Sequence, residues 1–229
     1  MVITGTSVAV SQEGLQIARE YSGRVFATAG VHPHDSRNCD DTTIGELRKL
    51  AANKEIVAIG ECGLDFWYKW VRQDDVRKQE QRAVFERQLA MAAEAGLPVT
   101  VHSRGTWREC LNMLKTAGIG KAVFHWYSGP LDVLKDILGA GFLVSCTPAL
   151  EYSKDLRAAM AYAPLEQMMI ETDTPVAFPV AGASERKPST PQDVWRTLRA
   201  LALLKARPEA EVLSLVNANA RAFFGCPVL

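Results

Sequence analysis

The sequence has no surplus of either charge, few cysteines and no long apolar run. Its 229 residues balance 26 Lys and Arg against 26 Asp and Glu, so a polyanionic ligand has to be held by local groups. The five cysteines lack metal-finger spacing, which favours a reducing compartment and the cytoplasm as the location. No stretch approaches the roughly 18 to 20 apolar residues that span a bilayer, so we expect no membrane contact. Nothing indicates an obligate protein partner.

Short apolar strands alternate with helical patterns, and no break in composition or linker divides them. Seven strands are followed by two closing helices, and the longest helix, at 75–95, stops at Gly96. This alternation favours a parallel sheet covered by helices. There is no Gly-x-Gly-x-x-Gly or phosphate loop near the start, and polar side chains follow several successive strands. We therefore predict an α/β fold, a (β/α)8 TIM-type barrel with seven strands, as a single domain over residues 1–229.

Three local patterns give sharper expectations. Ser11 is an N-cap candidate for the first helix, and Thr190 with Asp193 has the form of a capped helix start. Residues 175–189 are rich in Pro, Gly and Ser, which predicts a loop.

Histidine and carboxylate side chains lie at four strand ends. These residues are Glu61, His102, His125 and Asp173. Each alone is weak evidence, because a strand-end histidine is more often hydrogen-bonded structure and Asp173 could cap a helix. Burying four ionisable groups together is costly unless they are paired or bind a metal. Their types suit a divalent ion that activates water, so we predict a metal site.

Five ordered motifs resemble those of the TatD family of metal-dependent deoxyribonucleases, in the amidohydrolase superfamily. The resemblance runs from residue 1 to about residue 219. The motifs are Gly30-Val31-His32-Pro33-His34, Ile59-Gly60-Glu61-Cys62-Gly63-Leu64-Asp65, Val101-His102-Ser103-Arg104, Phe124-His125-Trp126-Tyr127-Ser128-Gly129 and Glu171-Thr172-Asp173-Thr174-Pro175.

The resemblance implies a barrel with one or two divalent ions, Mg²⁺, Mn²⁺ or Zn²⁺, that hydrolyses phosphodiester bonds of DNA with a metal-activated water. The metal ligands it implies are Glu61, His102, His125 and Asp173. Glu61 would bind or bridge metal, and Asp173 would also accept the proton of the attacking water. His32 and Arg104 would face the phosphate.

The sequence departs from the family pattern in two places. Family members begin with a strand bearing His-x-His or Asp-x-Gly ahead of the segment that resembles 2–6, and nothing here supplies it. We therefore expect the first strand to be absent, one metal position to be weakened and activity to be reduced. Residues 186–191 replace a polar motif of many relatives, which affects substrate detail.

The expected substrate is single-stranded DNA or a DNA end. Trp67, Tyr68, Trp70 or Trp126 could stack on an unpaired base, although packing at the barrel rim is the simpler interpretation of each. Two other functions stay open. The same ligands could serve a hydrolase of small esters, amides or lactones, and a damaged metal site would leave a binding protein.

Overall fold

A computed structural model describes residues 1–179 and 185–226, and the chain divides into two compact units. The first unit is Met1–Val123 with the chain from Arg221, and the second is Phe124–Ala220. A single domain over 1–229 stays a prediction.

The first unit is a set of parallel strands that alternate with helices. Its strands are β1 (Val2–Ile3), β2 (Phe26–Ala29), β3 (Ile56–Asp65), β4 (Val99–Arg104) and the start of β5 (Ala122–Phe124). Its helices are α1 (Val8–Glu20), α2 (Asp41–Ala51), α3 (Asp75–Ala95) and α4 (Trp107–Thr116). Strands β1 to β4 pair in sequence order, each parallel to the next. All ten residues of β3 are buried, so this strand lies in the core of the unit.

The second unit continues the alternation. Its strands are β6 (Leu143–Cys146) and β7 (Met168–Ile170), which pair in parallel. Its helices are α5 (Leu131–Gly139), α6 (Lys154–Tyr162), α7 (Val194–Lys205) and most of α8 (Glu209–Phe224). The seven predicted strands and the two closing helices are therefore present.

Helix α3 was predicted with the bounds that the structure gives it. Asp74 caps its start by accepting from the backbone N–H groups of Val76 (3.0 Å) and Arg77 (3.1 Å). Gly96 ends it in the left-handed conformation at φ 65°, where a residue with a Cβ is strained.

The N-cap prediction for α1 is wrong. The helix begins at Val8, and Oγ of Ser7 accepts from the N–H of Val10 at 3.3 Å. Ser11 lies inside the helix, and its hydroxyl donates to the carbonyl of Ser7 at 2.7 Å. A serine inside a helix makes this back-bond, so the same residue type suits both positions and the sequence pattern does not separate them.

The predicted loop at 175–189 contains a short antiparallel ribbon. Strand β8 (Ala177–Pro179) pairs with β9 (Arg186–Pro188), and residues 180–184 lie outside the described part of the chain. Phe178 is fully buried and anchors the ribbon. The loop prediction missed this ribbon because it was based on the Pro, Gly and Ser content of the segment. The capped helix start is confirmed, because Asp193 accepts from both the N–H (2.7 Å) and the hydroxyl (3.1 Å) of Thr190.

Across the described residues, no helix combines the length and the apolar character that crossing a membrane requires.

Candidate metal centre

Glu61 occupies a β-bulge inside β3, not the position after the strand that its sequence suggested. Ile59 pairs with Val99, but Cys62 pairs with Val101, so β3 has one extra residue at this point. Gly60, at φ 142°, supplies a backbone conformation that side chains rarely allow, and a Cβ there would overlap the carbonyl of Thr100. A bulge changes the direction in which a side chain points. Glu61 is buried, with 7% of the residue exposed.

The bulge fixes which residues of β3 surround His102. After it, His102 pairs with Gly63, the residue midway between Glu61 and Asp65. Side chains two apart on a strand lie on the same face, so the imidazole lies between two carboxylates. Nδ1 of His102 is 2.8 Å from Oε1 of Glu61, and Nε2 is 3.0 Å from Oδ2 of Asp65.

His32 joins this pair from the loop after β2. Its Nε2 is 3.2 Å from Nδ1 of His102 and 3.6 Å from Oε1 of Glu61. One ligand atom each of His32, Glu61 and His102 lies within 4.8 Å of the other two. Three of the predicted site residues are therefore brought together in the first unit.

Asp65 is a site residue to which sequence reasoning gave no role. It is fully buried, and Oδ2 accepts from Nε of Arg104 (2.9 Å) as well as from His102, while Oδ1 accepts from the N–H of Trp67 (2.9 Å). Burial alone raises the pKa of Asp65, but the hydrogen bond and charge of His102, the backbone N–H of Trp67 and the charge of Arg104 together outweigh it, and the pKa is lowered. The carboxylate is therefore ionised. Its signal in the sequence was its spacing of four from Glu61, which places both on one face of a strand.

The contacts of His32 and His102 bear on where each imidazole carries its proton. The N–H of His34 donates to Nδ1 of His32 (3.1 Å), so the proton of a neutral His32 lies on Nε2. Nε2 of His102 faces Asp65 and Nδ1 faces Glu61, so the tautomer with its proton on Nε2 directs an Nδ1 lone pair towards Glu61. An imidazole lone pair beside a carboxylate oxygen is a ligand pair for a divalent cation. The donor set fits a metal at Glu61 and His102, whereas the N–H of His32 suits a phosphate oxygen.

Arg104 lies at the edge of this cluster. Its side chain is 49% exposed, and its guanidinium carbon lies 5.2 Å from the ring centre of Tyr68. Asp65 and Tyr68 therefore orient the guanidinium while leaving much of it in contact with solvent, as recognition of an anionic ligand requires.

The second unit supplies the other two predicted ligands. His125 directly follows β5, and Asp173, at φ 49°, lies three residues after β7. A ring nitrogen of His125 and a carboxylate oxygen of Asp173 lie within 4.8 Å of each other. The convergence of all four ligands on a common ion stays a prediction.

Glu171 holds His125 as Asp65 holds His102. Its Oε2 lies 3.4 Å from Nδ1 of His125, and its Oε1 accepts from the N–H of Trp126 (3.0 Å) and from the hydroxyl of Ser145. A carboxylate behind a histidine ligand selects the tautomer and orients the ring. Sequence reasoning placed Glu171 in a motif without giving it this role.

Parallel strands that alternate with helices and present histidine and carboxylate side chains near their ends are typical of metal-dependent hydrolases. The family model "TatD related DNase" matches residues 1–225, and the chain belongs to the TatD family.

Named relatives agree over most of the chain. The "3'-5' ssDNA/RNA exonuclease TatD" of Erwinia amylovora is 33% identical over 98% of this chain and 88% of its own length. The protein of the same name from Enterobacter lignolyticus is 38% identical over 78% of this chain and 68% of its own length.

Solved structures agree on the fold. The TatD homologue YJJV from Escherichia coli K12 has a TM-score of 0.88 at 25% identity, covering 99% of this chain and 86% of its own. A TatD-family hydrolase from Entamoeba histolytica has a TM-score of 0.84 at 21% identity, covering 99% and 84% of the two chains, which supports the fold alone. These findings confirm the predicted family, the α/β fold of the TIM-barrel type and the hydrolase class. The family and the grouping of Glu61 with His102 together indicate divalent metal binding.

Proposed function

We propose that the protein is a metal-dependent nuclease that hydrolyses phosphodiester bonds of single-stranded DNA from an end. The observation that carries this proposal is the grouping of two metal ligands with two N–H donors. The ligands are Glu61 and His102, and the donors are the imidazole of His32 and the cationic guanidinium of Arg104. Relatives named 3'-5' ssDNA/RNA exonucleases support a nucleic-acid substrate and attack from the 3′ end. The balanced net charge favours gripping an end or a short strand over tracking along a duplex.

The protein would bind one or two ions of Mg²⁺, Mn²⁺ or Zn²⁺ through its predicted ligands. These ligands are Glu61, His102, His125 and Asp173. When bound, such an ion polarises a phosphoryl oxygen and lowers the pKa of a coordinated water towards ~7. Asp65 and Glu171 support this role because each orients a histidine ligand from behind.

The phosphate would be bound by His32 and Arg104. Nε2–H of His32 donates into the space beside Glu61 and His102, where a phosphate oxygen can replace the present acceptor. Arg104 adds a fixed positive charge, because Asp65 holds its Nε and leaves the guanidinium half exposed. Both groups offset the negative charge that develops on the phosphate during hydrolysis.

Asp173 would accept the proton of the attacking water. It is a carboxylate in a loop directly after a strand, within 4.8 Å of a ring nitrogen of His125. A carboxylate that is already beside the ligands can take a proton as the water attacks.

The test compares metal-dependent cleavage of single-stranded DNA with hydrolysis of small esters. The protein is stripped of metal and assayed with added Mg²⁺, Mn²⁺ or Zn²⁺ on an end-labelled oligonucleotide and on an ester. Glu61→Gln and Asp173→Asn are expected to abolish metal-dependent DNA cleavage. Glu94→Gln is the matched control, because Glu94 is an exposed residue of α3 that pairs with Arg48.

Full metal-dependent cleavage by Glu61→Gln, or ester hydrolysis without cleavage of DNA, overturns the proposal.

The proposal also includes a cytoplasmic location and the lack of an obligate protein partner. Five free thiols support the location, because such thiols persist in a reducing compartment.

A further inference from the structure

Of the four aromatic side chains that the sequence offered for stacking on a base, three have ring contacts inside the protein. Tyr68 and Trp70 stack on each other, with ring centres 5.7 Å apart and planes 14° from parallel. Trp126 packs against Phe178 at 5.6 Å. Trp67 differs, because 65% of it is exposed to solvent.

The cations near the stacked pair reduce its availability further. The guanidinium carbon of Arg104 lies 5.2 Å from the ring centre of Tyr68, and that of Arg37 lies 5.9 Å from the ring centre of Trp70. Tyr68 and Trp70 thus stack on each other and each has a guanidinium near its ring, which leaves less ring surface for a base.

Trp67 is exposed but held in place. Its backbone N–H donates to Oδ1 of Asp65 at 2.9 Å. Its indole lies against the backbone of Gly105, where any Cβ would overlap the ring atoms Cδ1 and Nε1. Gly105 has φ 75°, a conformation that glycine adopts readily. The indole therefore contacts the backbone at Gly105, while 65% of Trp67 is exposed to solvent.

The backbone of Trp67 is joined to the candidate site through the carboxylate of Asp65. Asp65 accepts from Trp67 on Oδ1 and from His102 and Arg104 on Oδ2. Lys69, in the same segment as Trp67, is exposed and adds positive charge. A flat apolar face beside cations is the pairing that binds single-stranded nucleic acid, where cations meet phosphates and rings stack on bases.

We propose that Trp67 is a stacking platform for an unpaired base of the substrate strand, next to the phosphate held by Arg104 and His32. The platform rests on the proposed function and gives it a subsite for single strands. A base inside a duplex has both faces covered by its neighbours, whereas an unpaired base presents a face to the indole.

Equilibrium binding tests this subsite without catalysis. A fluorescently labelled single-stranded oligonucleotide is titrated with the protein in EDTA, and the dissociation constant is read from anisotropy. Trp67→Ala is expected to weaken binding about 5- to 140-fold, the range that base stacking contributes. Trp67→Phe, which keeps a flat ring, is expected to lose less. Trp195→Ala is the matched control, since Trp195 is a half-exposed tryptophan on α7.

Oligonucleotides with an abasic sugar moved along the strand locate the base. At one position, the abasic sugar is expected to weaken binding to the wild type about as much as Trp67→Ala does. The variant is expected to be insensitive to the abasic sugar at that position, because the two changes remove the same contact. Thermal melts of each variant show that the fold is intact.

Two outcomes overturn the inference: wild-type affinity in Trp67→Ala, or equal sensitivity of wild type and variant to every abasic position. The proposed function is judged separately by metal-dependent cleavage. Weaker binding by Trp67→Ala without any metal-dependent cleavage would overturn the nuclease proposal and leave the stacking subsite. Metal-dependent cleavage with wild-type affinity in Trp67→Ala would overturn the subsite and leave the nuclease proposal.

Discussion

Replacing Asp65 by asparagine tests whether this buried carboxylate positions the metal ligand His102. The substitution keeps the shape of the side chain but replaces one acceptor oxygen by an NH₂ donor. In the native protein, Oδ2 accepts from His102 and Arg104 and Oδ1 accepts from Trp67, so all three contacts need an acceptor. Either orientation of the amide therefore places its NH₂ group opposite an N–H donor.

The geometry sets the size of the effect. The site is fully buried, and leaving one donor there without an acceptor costs about 1–3 kcal/mol. If the NH₂ faces His102, the imidazole can accept from it only by moving its proton to Nδ1, which removes the lone pair directed at Glu61. Carboxylates behind metal-bound histidines typically contribute about 10- to 100-fold to metal affinity or activity. We expect Asp65→Asn to lose both by a factor in this range.

Calorimetric titration with Mn²⁺ and kcat/KM on single-stranded DNA measure the two losses. Asp74→Asn is the matched control, because Asp74 caps α3 and asparagine caps a helix equally well. Thermal melts separate a ligand effect from unfolding. In the ¹⁵N NMR spectrum of the metal-free protein, the His102 signals are expected to report less Nε2–H tautomer in the variant.

Wild-type Mn²⁺ affinity together with wild-type kcat/KM in Asp65→Asn would refute the reasoning. A lower melting temperature with unchanged Mn²⁺ affinity would also contradict it, because Asp65 would then stabilise the fold without positioning the ligand.

Three further predictions concern the metal, a glycine and a helix cap. Mn²⁺ at 100 times its dissociation constant is expected to stabilise the wild type by about 2.7 kcal/mol, and Glu61→Gln is expected to lose most of this gain in urea melts. Gly105→Ala is expected to destabilise the protein by about 1–3 kcal/mol and to weaken oligonucleotide binding, because a methyl group at φ 75° is strained and overlaps the indole of Trp67. Asp193→Ala is expected to cost about 0.5–2 kcal/mol at neutral pH, as loss of a helix cap does. The backbone N–H of Thr190 lowers the pKa of Asp193, so this stabilisation is present above the unfolded-state pKa near ~3.9 and is lost as the pH falls through the lower folded-state pKa.

Controls decide each of the three. EDTA must remove the Mn²⁺ stabilisation, and an equal gain in Glu61→Gln would exclude this carboxylate as a ligand. Gly45→Ala is the control for Gly105, since nothing lies within 4 Å of a Cβ built at residue 45. For Asp193→Ala, urea melts across the acid range are compared with the wild type, and a stability difference that grows as the pH falls would contradict the assigned pKa shift.

The periodic parts of the fold were predictable because burial alone specifies them. Seven apolar strands and the helix Asp75–Ala95 were found from apolar spacing and from the glycine that ends the helix. The ribbon of Ala177–Pro179 and Arg186–Pro188 was missed, because the Pro, Gly and Ser content of 175–189 predicted a loop and Arg186–Pro188 has no apolar run. The cap at Ser7 was missed because two serines four residues apart both suit a helix start.

The site was predictable in its chemical types. Glu61, His102 and His32 come from separate segments and lie together, as expected from parallel strands that present their ends on one side. Asp65 and Glu171 were read only as parts of motifs, since their roles depend on which ring nitrogen each one faces.

One extra residue in β3 explains why spacing, although it places Glu61 and Asp65 on one face, did not show that His102 lies between them. Continuing the pairing of Ile59 with Val99 without a bulge would set His102 opposite Cys62, and its side chain would then share a face with residues 62 and 64. The bulge shifts the register by one, so His102 lies opposite Gly63 with a carboxylate on either side. A shift of one residue moves every side chain of a strand to the other face. The ligand pair and its supporting carboxylate therefore depend on a backbone irregularity at Gly60, where a side chain would meet the carbonyl of Thr100.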